Sequence, residues 1–260
     1  MTSDKITHLV NALKTLFPNN PYFLGHTRGI QGDDRRHGAL EAIVRELAQE
    51  RKRVNILEIG SWTGFSALTW GESLRRHCPE YGSITCVDPW RPYVTAGDFA
   101  ANDIYGTMNT MLLSGLAYAL FLHNTQFVHH GIEFSHFVGT LQEAKAKLGR
   151  YDIIYIDGSH YYAEVMADLQ EADGLLATGG ILCGDDLELQ LSEVDEAFTR
   201  SHLHADFVAN PATGRGFHPG VTLAVADYFK GAVWAKRGVW AMRKTDAGYV
   251  APPVEWAKVD

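Results

Sequence analysis

The chain has 260 residues, 46% of them hydrophobic and 21% charged, with a formal net charge of −8. Those are the proportions of a soluble globule, and the acidic balance argues against a binder driven by nucleic-acid phosphates, which carries a basic face. No apolar run approaches the roughly 18 residues a membrane span needs, and three scattered cysteines without a CxxC pair exclude a thiolate zinc site and suit a reducing cytoplasm.

In chain order, Ile6, Leu9, Val10, Leu13 and Phe17 recur at helical spacing and predict an amphipathic first helix. The stretch 18–34 is loop-like, and "HGALEAIVRELAQE" reads as a second helix. From Val54 the pattern alternates. "VNILEIG" is strand-like and "FSALTWGESLRRH" helix-like; "GSITCVD" and "FSHFVG" are the next two strands. "EAKAKLG" is a helix end, "YDIIYID" a fourth strand, "YYAEVMADLQEADGLLA" a helix and "GGILCGDD" a fifth strand. Strands alternating with helices predict an α/β fold, a doubly wound and mostly parallel sheet covered on both faces. Two short runs split by Arg237-Gly238 predict a terminal antiparallel hairpin. The expected organisation is one domain over 1–260, with additional helices in 1–50. Residues 91–131 are too long for a plain connection and read as an insertion near the site, a lid. Its apolar segment 108–122 makes homo-oligomer formation an open expectation.

Glu58, Gly60, Gly64 and Ser66 fall at the turn between the first strand and its helix, with Ser61 and Trp62 between the glycines. The G-x-x-x-G spacing is not the G-x-G-x-x-G of a dinucleotide site, which weighs against an NAD-dependent oxidoreductase. Glycine there lets backbone approach a ligand closely. Asp88 ends the second strand, where a carboxylate can accept both ribose hydroxyls. Each feature alone is compatible with a tight turn and a strand-capping acid. Their order favours an adenosine-type ligand.

Asp157 ends the fourth strand, and Asp185 and Asp186 end the fifth. Neighbouring strands lie roughly 4.8 Å apart, so these carboxylates are expected to crowd one rim. Hard oxygen donors without thiolates favour Mg²⁺ or Ca²⁺ over zinc; the alternative is a set of acids bonded to helix N-termini. His160 follows Asp157 by three residues. It is either a general base at the crevice mouth or the opening of the next helix, with Ser159 as its N-cap. Histidines 123, 129, 130, 136, 202, 204 and 218 carry no assignment.

"EIGSWTGFSA" with Asp88 resembles class I S-adenosylmethionine-dependent methyltransferases, and the loop is similar to that of catechol O-methyltransferases. "VDPW", "IDGSH" and "GGILCGDD" are similar to macrocin- and mycinamicin-type sugar O-methyltransferases. The resemblance covers about residues 54–186. It implies that Glu58 and Gly60 lie near the methionine moiety of S-adenosylmethionine, and that Gly139, Thr140 and Leu141 lie near the adenine. Thr140 stands where an acid is common. It further implies Mg²⁺ on Asp157, Asp185 and Asp186, and His160 as base. The expected function is O-methylation of a small hydroxylated metabolite, a glycoside sugar or catechol-like ring, with no nucleic-acid or membrane partner. A non-catalytic S-adenosylmethionine-binding protein is the alternative from another class.

Overall fold

The computed structural model describes residues 3–23, 34–92 and 103–254. Helices α1 (Ser3–Leu16) and α2 (Asp34–Ala48) precede β1 (Val54–Ile59), α3 (Phe65–His77) and β2 (Gly82–Asp88). Then come α4 (Asp103–Ser114), α5 (Leu116–Asn124), β3 (Glu133–Val138), α6 (Leu141–Ala144) and β4 (Tyr151–Ile156). The chain continues through α7 (Tyr162–Leu175), β5 (Leu176–Leu187), α8 (Glu196–Ser201), a small ribbon of β6 (Val208–Ala209) and β7 (Gly216–Phe217), and α9 (Pro219–Phe229). It closes with β8 (Trp234–Lys236), β9 (Gly238–Thr245) and β10 (Gly248–Val250).

The main sheet has the order β10-β9-β5-β4-β1-β2-β3, with β8 also pairing β9. Strands β1 to β5 are parallel, and β9 joins β5 antiparallel. This is the Rossmann-like α/β architecture that the alternation predicts. Residue alternation divides the core between two faces. Ile56, Ile84, Ile153 and Ile181 pack under α1, α2, α3 and α5; Leu57, Ile59, Ile154 and Leu182 pack under α6, α7 and α9. The predicted hairpin turns at Arg237 (φ 56°) and Gly238 (φ 90°), between the paired Lys236 and Val239. Two left-handed residues in a two-residue loop match the right-handed twist of the strands.

The segment expected to act as a lid is two helices broken at Gly115, which takes a left-handed φ of 82°. Ala117, Ala119, Leu120 and Phe121 of α5 are buried in the chain's own core, and α5 packs on α1. Much of its apolar character is therefore used within the chain, while Leu113 of α4 stays exposed. Residues 93–102 of that segment, and 24–33 of the first loop, lie outside the described residues. Among the described residues no helix is long and apolar enough to cross a membrane.

Register sets up the site. Ile59 pairs with Val87 on one side and Ile156 on the other, and Ile156 pairs with Gly184. The next residues, Gly60, Asp88, Asp157 and Asp185, therefore emerge along one rim. This is the carboxyl end of a sheet whose order reverses between β1 and β4, where α/β folds open a crevice.

Candidate active site

A cavity of about 980 Å³ opens along this rim. Gly60, Ser61, Trp62 and Ser66 line it from the first loop, and Asp88 from the end of β2. Thr140 and Leu141 line it after β3, Asp157 and His160 after β4, and Asp185 and Asp186 after β5. Sequence-distant predicted residues thus share one space. Glu58 and Gly64 do not line it.

Gly60 has a local reason. Its φ is +85°, and a Cβ there would lie 2.0 Å from the Asp157 carbonyl oxygen. Its N–H donates to Val87, and the Asp157 N–H donates to the Ile59 carbonyl. The glycine is thus demanded first by the close approach of the β1 and β4 loops, rather than by ligand contact as the sequence suggests. Trp62 adopts a left-handed φ of 46°, a costly conformation for a bulky residue. Trp90 is buried against Tyr118 and Phe121, and its Nε1–H donates to the Trp62 carbonyl at 2.7 Å.

Asp88 ties this loop down. One carboxylate oxygen accepts the N–H groups of Ser61 and Trp62, both at 2.9 Å, and the other accepts the Trp90 N–H at 2.6 Å. Burial pushes its pKa up to about 6, against the pull of those three bonds. The sequence anticipates a ligand-facing acid and misses this anchoring task.

Glu58 sits behind the loop, fully buried on the α3 face of β1. Burial raises its pKa to about 7, with Ser61, Ser66 and Trp70 near enough to offset part of the cost. Even so, Glu58 Oε2, Ser61 Oγ and Trp70 Nε1 have no hydrogen-bond partner, and neither has the buried Trp62 Nε1. A folded-state pKa raised above the unfolded value stabilises fully below the unfolded pKa and is lost as pH rises through the folded one. Glu58→Gln should therefore gain on wild type by roughly 3 kcal/mol between pH 4.5 and 8. Urea denaturation at the two pH values checks this, and an equal difference at both would refute it.

Thr140, placed near adenine by resemblance, is the N-cap of α6. It accepts the Glu143 N–H while Glu143 accepts the Thr140 N–H, a reciprocal capping box. Asp168 on α7 also lines the cavity. Burial, with Glu164 and Glu171 nearby, raises its pKa to about 7. Nothing in its sequence surroundings marks it.

The acids at the rim differ from expectation. Asp157 and Asp185 both accept from the Tyr155 hydroxyl, at 3.3 and 3.4 Å. Asp186 occupies a bulge with a left-handed φ of 64° and pairs with His160 Nε2 at 3.0 Å. Asp157, Asp185 and Asp186 therefore do not form one compact three-ligand set. Among the described residues the sets with ligand atoms within 4.8 Å of one another are His160–Asp206–His218 and Asp186–Glu188–His218. Asp157 and Asp185 fit a hard cation as a pair of oxygen donors, while His160 draws Asp186 aside.

His160 is not part of a capped helix start. Helix α7 begins at Tyr162 with Tyr161 as N-cap, and Ser159 Oγ accepts only the Tyr161 N–H at 3.3 Å. Its two ring nitrogens each lie 3.0 Å from a carboxylate oxygen, Nε2 from Asp186 and Nδ1 from Asp206. Only the imidazolium donates at both. Asp206 and His218 join the site from outside the predicted set. His218 carries no assignment from the sequence, and "HADF" around Asp206 carries no signal.

No curated protein matches the sequence. Among solved structures, the O-methyltransferase NovP is similar over 94% of this chain and 99% of its own, at 14% identity and a TM-score of 0.55. The calicheamicin methyltransferase CalS11 is similar over 94% of each chain, at 16% identity and a TM-score of 0.49. The methyltransferase PaMTH1 of Podospora anserina is similar over 94% of this chain and 89% of its own, at 19% identity and a TM-score of 0.42. The likeness to NovP is one of fold. The sequence profile of the methyltransferase domain matches residues 57–187, half the chain, running from within β1 to the end of β5 and including the predicted site acids. On that match, the chain belongs to the methyltransferase-domain family.

Proposed function

We propose that this protein is an S-adenosylmethionine-dependent O-methyltransferase acting on a small hydroxylated metabolite, a glycoside sugar or a catechol-like ring. The observation that carries the reading is the single cavity that gathers the Gly60–Trp62 loop, Asp88, Asp157, His160 and Asp185. Family membership sets aside the NAD-dependent alternative. The unpartnered Trp62 Nε1 and Ser61 Oγ beside the cavity suit a polar cofactor.

S-adenosylmethionine supplies a methyl group on sulfonium, so the leaving thioether is neutral and only the acceptor hydroxyl needs activation. In this reading the first loop and Asp88 hold the nucleoside. Asp157 and Asp185 would hold Mg²⁺ as the pair of oxygen donors, and its Lewis acidity would lower the acceptor's pKa. His160 takes the acceptor proton as the methyl moves across. The cavity walls orient the acceptor oxygen toward the methyl carbon. The 1–260 chain acts as one catalytic domain, in the cytoplasm, without nucleic acid or membrane.

The test is a product screen by mass. A pooled set of sugars, catechols and flavonoids is offered with S-adenosylmethionine, with Mg²⁺ or with chelator. One acceptor should gain one methyl, and chelator should abolish the gain. Cofactor binding without methylation of any acceptor would favour a non-catalytic binder. Undiminished turnover after thorough metal stripping would remove the Mg²⁺ clause.

A further inference from the structure

We infer that Asp168 reads the exocyclic amine of the cofactor's adenine, accepting a hydrogen bond from the α7 side of the cavity. This deepens the reading of the cavity as an S-adenosylmethionine site and rests on it. Asp168 is then a cofactor-specificity residue supplied by a helix, not by the turn after β3.

Glu164, Asp168 and Glu171 stand at i, i+4 and i+7 on α7, so they share one helix face. All three line the cavity. Like charges at that spacing repel, and the outer two are relieved: Glu164 is exposed to water, and Glu171 takes Lys145 Nζ at 2.6 Å. Asp168 has no such relief. It is partly buried, and among the described residues its carboxyl has neither a hydrogen bond nor an opposite charge. Burial and the two acidic neighbours push its pKa up to about 7. A polar group withdrawn from water without a partner is destabilising, so packing alone gives no reason for an acid here.

Position supplies the reason. A Cβ on Gly158 would lie 3.7 Å from Ile59 Cγ2 and 3.8 Å from Asp168 Oδ2. The Asp168 carboxyl therefore reaches in beside the ends of β1 and β4, the strands between which the sheet order reverses. Gly158, having no side chain, leaves the gap before it open. Helix α6 packs against α7, and Gly139, Thr140 and Leu141 line the same cavity. Those three are the residues read as lying near the adenine. Thr140 stands where an acid is common, and its hydroxyl is engaged in the α6 cap: it accepts the Glu143 N–H at 3.3 Å and donates to Glu143 Oε2 at 3.1 Å. Asp168 offers a carboxyl oxygen from the neighbouring helix instead.

The chemistry of the base fits this place. The 6-amino group of adenine donates two hydrogens, and a carboxyl oxygen accepts in either protonation state. The contact therefore needs no particular charge on Asp168. It also satisfies the one acid of this face that the protein leaves without a partner. A divalent cation is the competing occupant. Two observations argue against it: Asp168 joins no three-residue set of clustered ligand atoms among the described residues, and Lys145 already engages Glu171.

The test measures, by calorimetry, the binding of S-adenosylhomocysteine and of its purine analogue lacking the 6-amino group. Wild type, Asp168→Ala, Asp168→Asn and Gln142→Ala are compared. Wild type should bind the analogue roughly tenfold more weakly, the scale of one hydrogen bond to a carboxyl. Asp168→Ala should bind the two ligands alike, within about threefold, because the contact that tells them apart is gone. Asp168→Asn, whose amide carbonyl still accepts, should keep part of the preference. Gln142→Ala, which removes another polar group of the cavity wall, should keep all of it. A general loosening of the site would weaken both ligands together, so the ratio of the two affinities reads the contact itself. Equal wild-type affinities, an unchanged ratio in Asp168→Ala, or a ratio lost in Gln142→Ala instead would each overturn the inference and leave the cofactor reading standing. Failure of wild type to bind S-adenosylhomocysteine at all would overturn both. If Asp168→Ala does not fold, equal wild-type affinities are still fatal, and a reduced ratio in Asp168→Asn is still the expected result.

Discussion

His160→Ala is expected to lower kcat by roughly 10²–10⁴-fold, the range for a positioned general base, while S-adenosylhomocysteine binding stays within a few-fold of wild type. The separation of effects follows from position. His160 lies on the β4–α7 turn, whereas the loop held by Asp88 is built by β1 and β2. Removing the imidazole also leaves Asp186 and Asp206 without their shared partner, so some loss of stability accompanies the loss of rate. Calorimetry with S-adenosylhomocysteine and single-turnover methyl transfer, run on the same folded sample, separate the two. An acceptor already ionised on entering the site would need the base less. A fall under tenfold on the physiological acceptor, with chemistry shown to be rate-limiting, would return His160 to a structural role.

The second large effect is expected at Asp88. The sequence alone suggests only a ribose contact, whose loss would cost about ten- to hundredfold in cofactor affinity. The structure adds a larger consequence. Asp88→Ala strands the N–H groups of Ser61, Trp62 and Trp90, all of which now donate to one carboxylate. An unsatisfied buried donor costs roughly 1–3 kcal/mol, so stability should fall on the order of 3 kcal/mol or more, and the first loop should lose its shape. Urea denaturation reads the stability. Calorimetry with S-adenosylhomocysteine, at a temperature where the variant remains folded, reads the affinity. Wild-type stability would show that water replaces the carboxylate at these donors, and wild-type affinity in the folded variant would remove Asp88 from the ligand.

The two effects differ in how visible they are from the chain alone. Asp88 and His160 announce themselves by ending or following an apolar run. What they touch is fixed by residues 26 to 46 positions away: Asp88 by the loop at Ser61 and Trp62, and His160 by Asp186 and Asp206.

Local pattern by itself determined the five parallel strands, the helices between them, the terminal hairpin at Arg237-Gly238 and the rim on which Gly60, Asp88, Asp157 and Asp185 emerge. The physical reason is that period-two and period-3.6 hydrophobicity are written in neighbouring residues, and a parallel sheet has few ways to be wound. Tertiary structure alone decided that Glu58 faces α3 rather than the cavity, that the apolar 108–122 segment breaks at Gly115 and serves the core, and that Asp186 pairs with His160 rather than with Asp157 and Asp185. It alone brought in Asp206 and His218. A strand-end acid specifies where its backbone emerges, not which way its carboxylate turns. That direction is set by whichever opposite charge or hydrogen-bond donor the fold brings within about 3 Å, and here the donor to Asp206 comes from a turn 46 residues earlier in the chain.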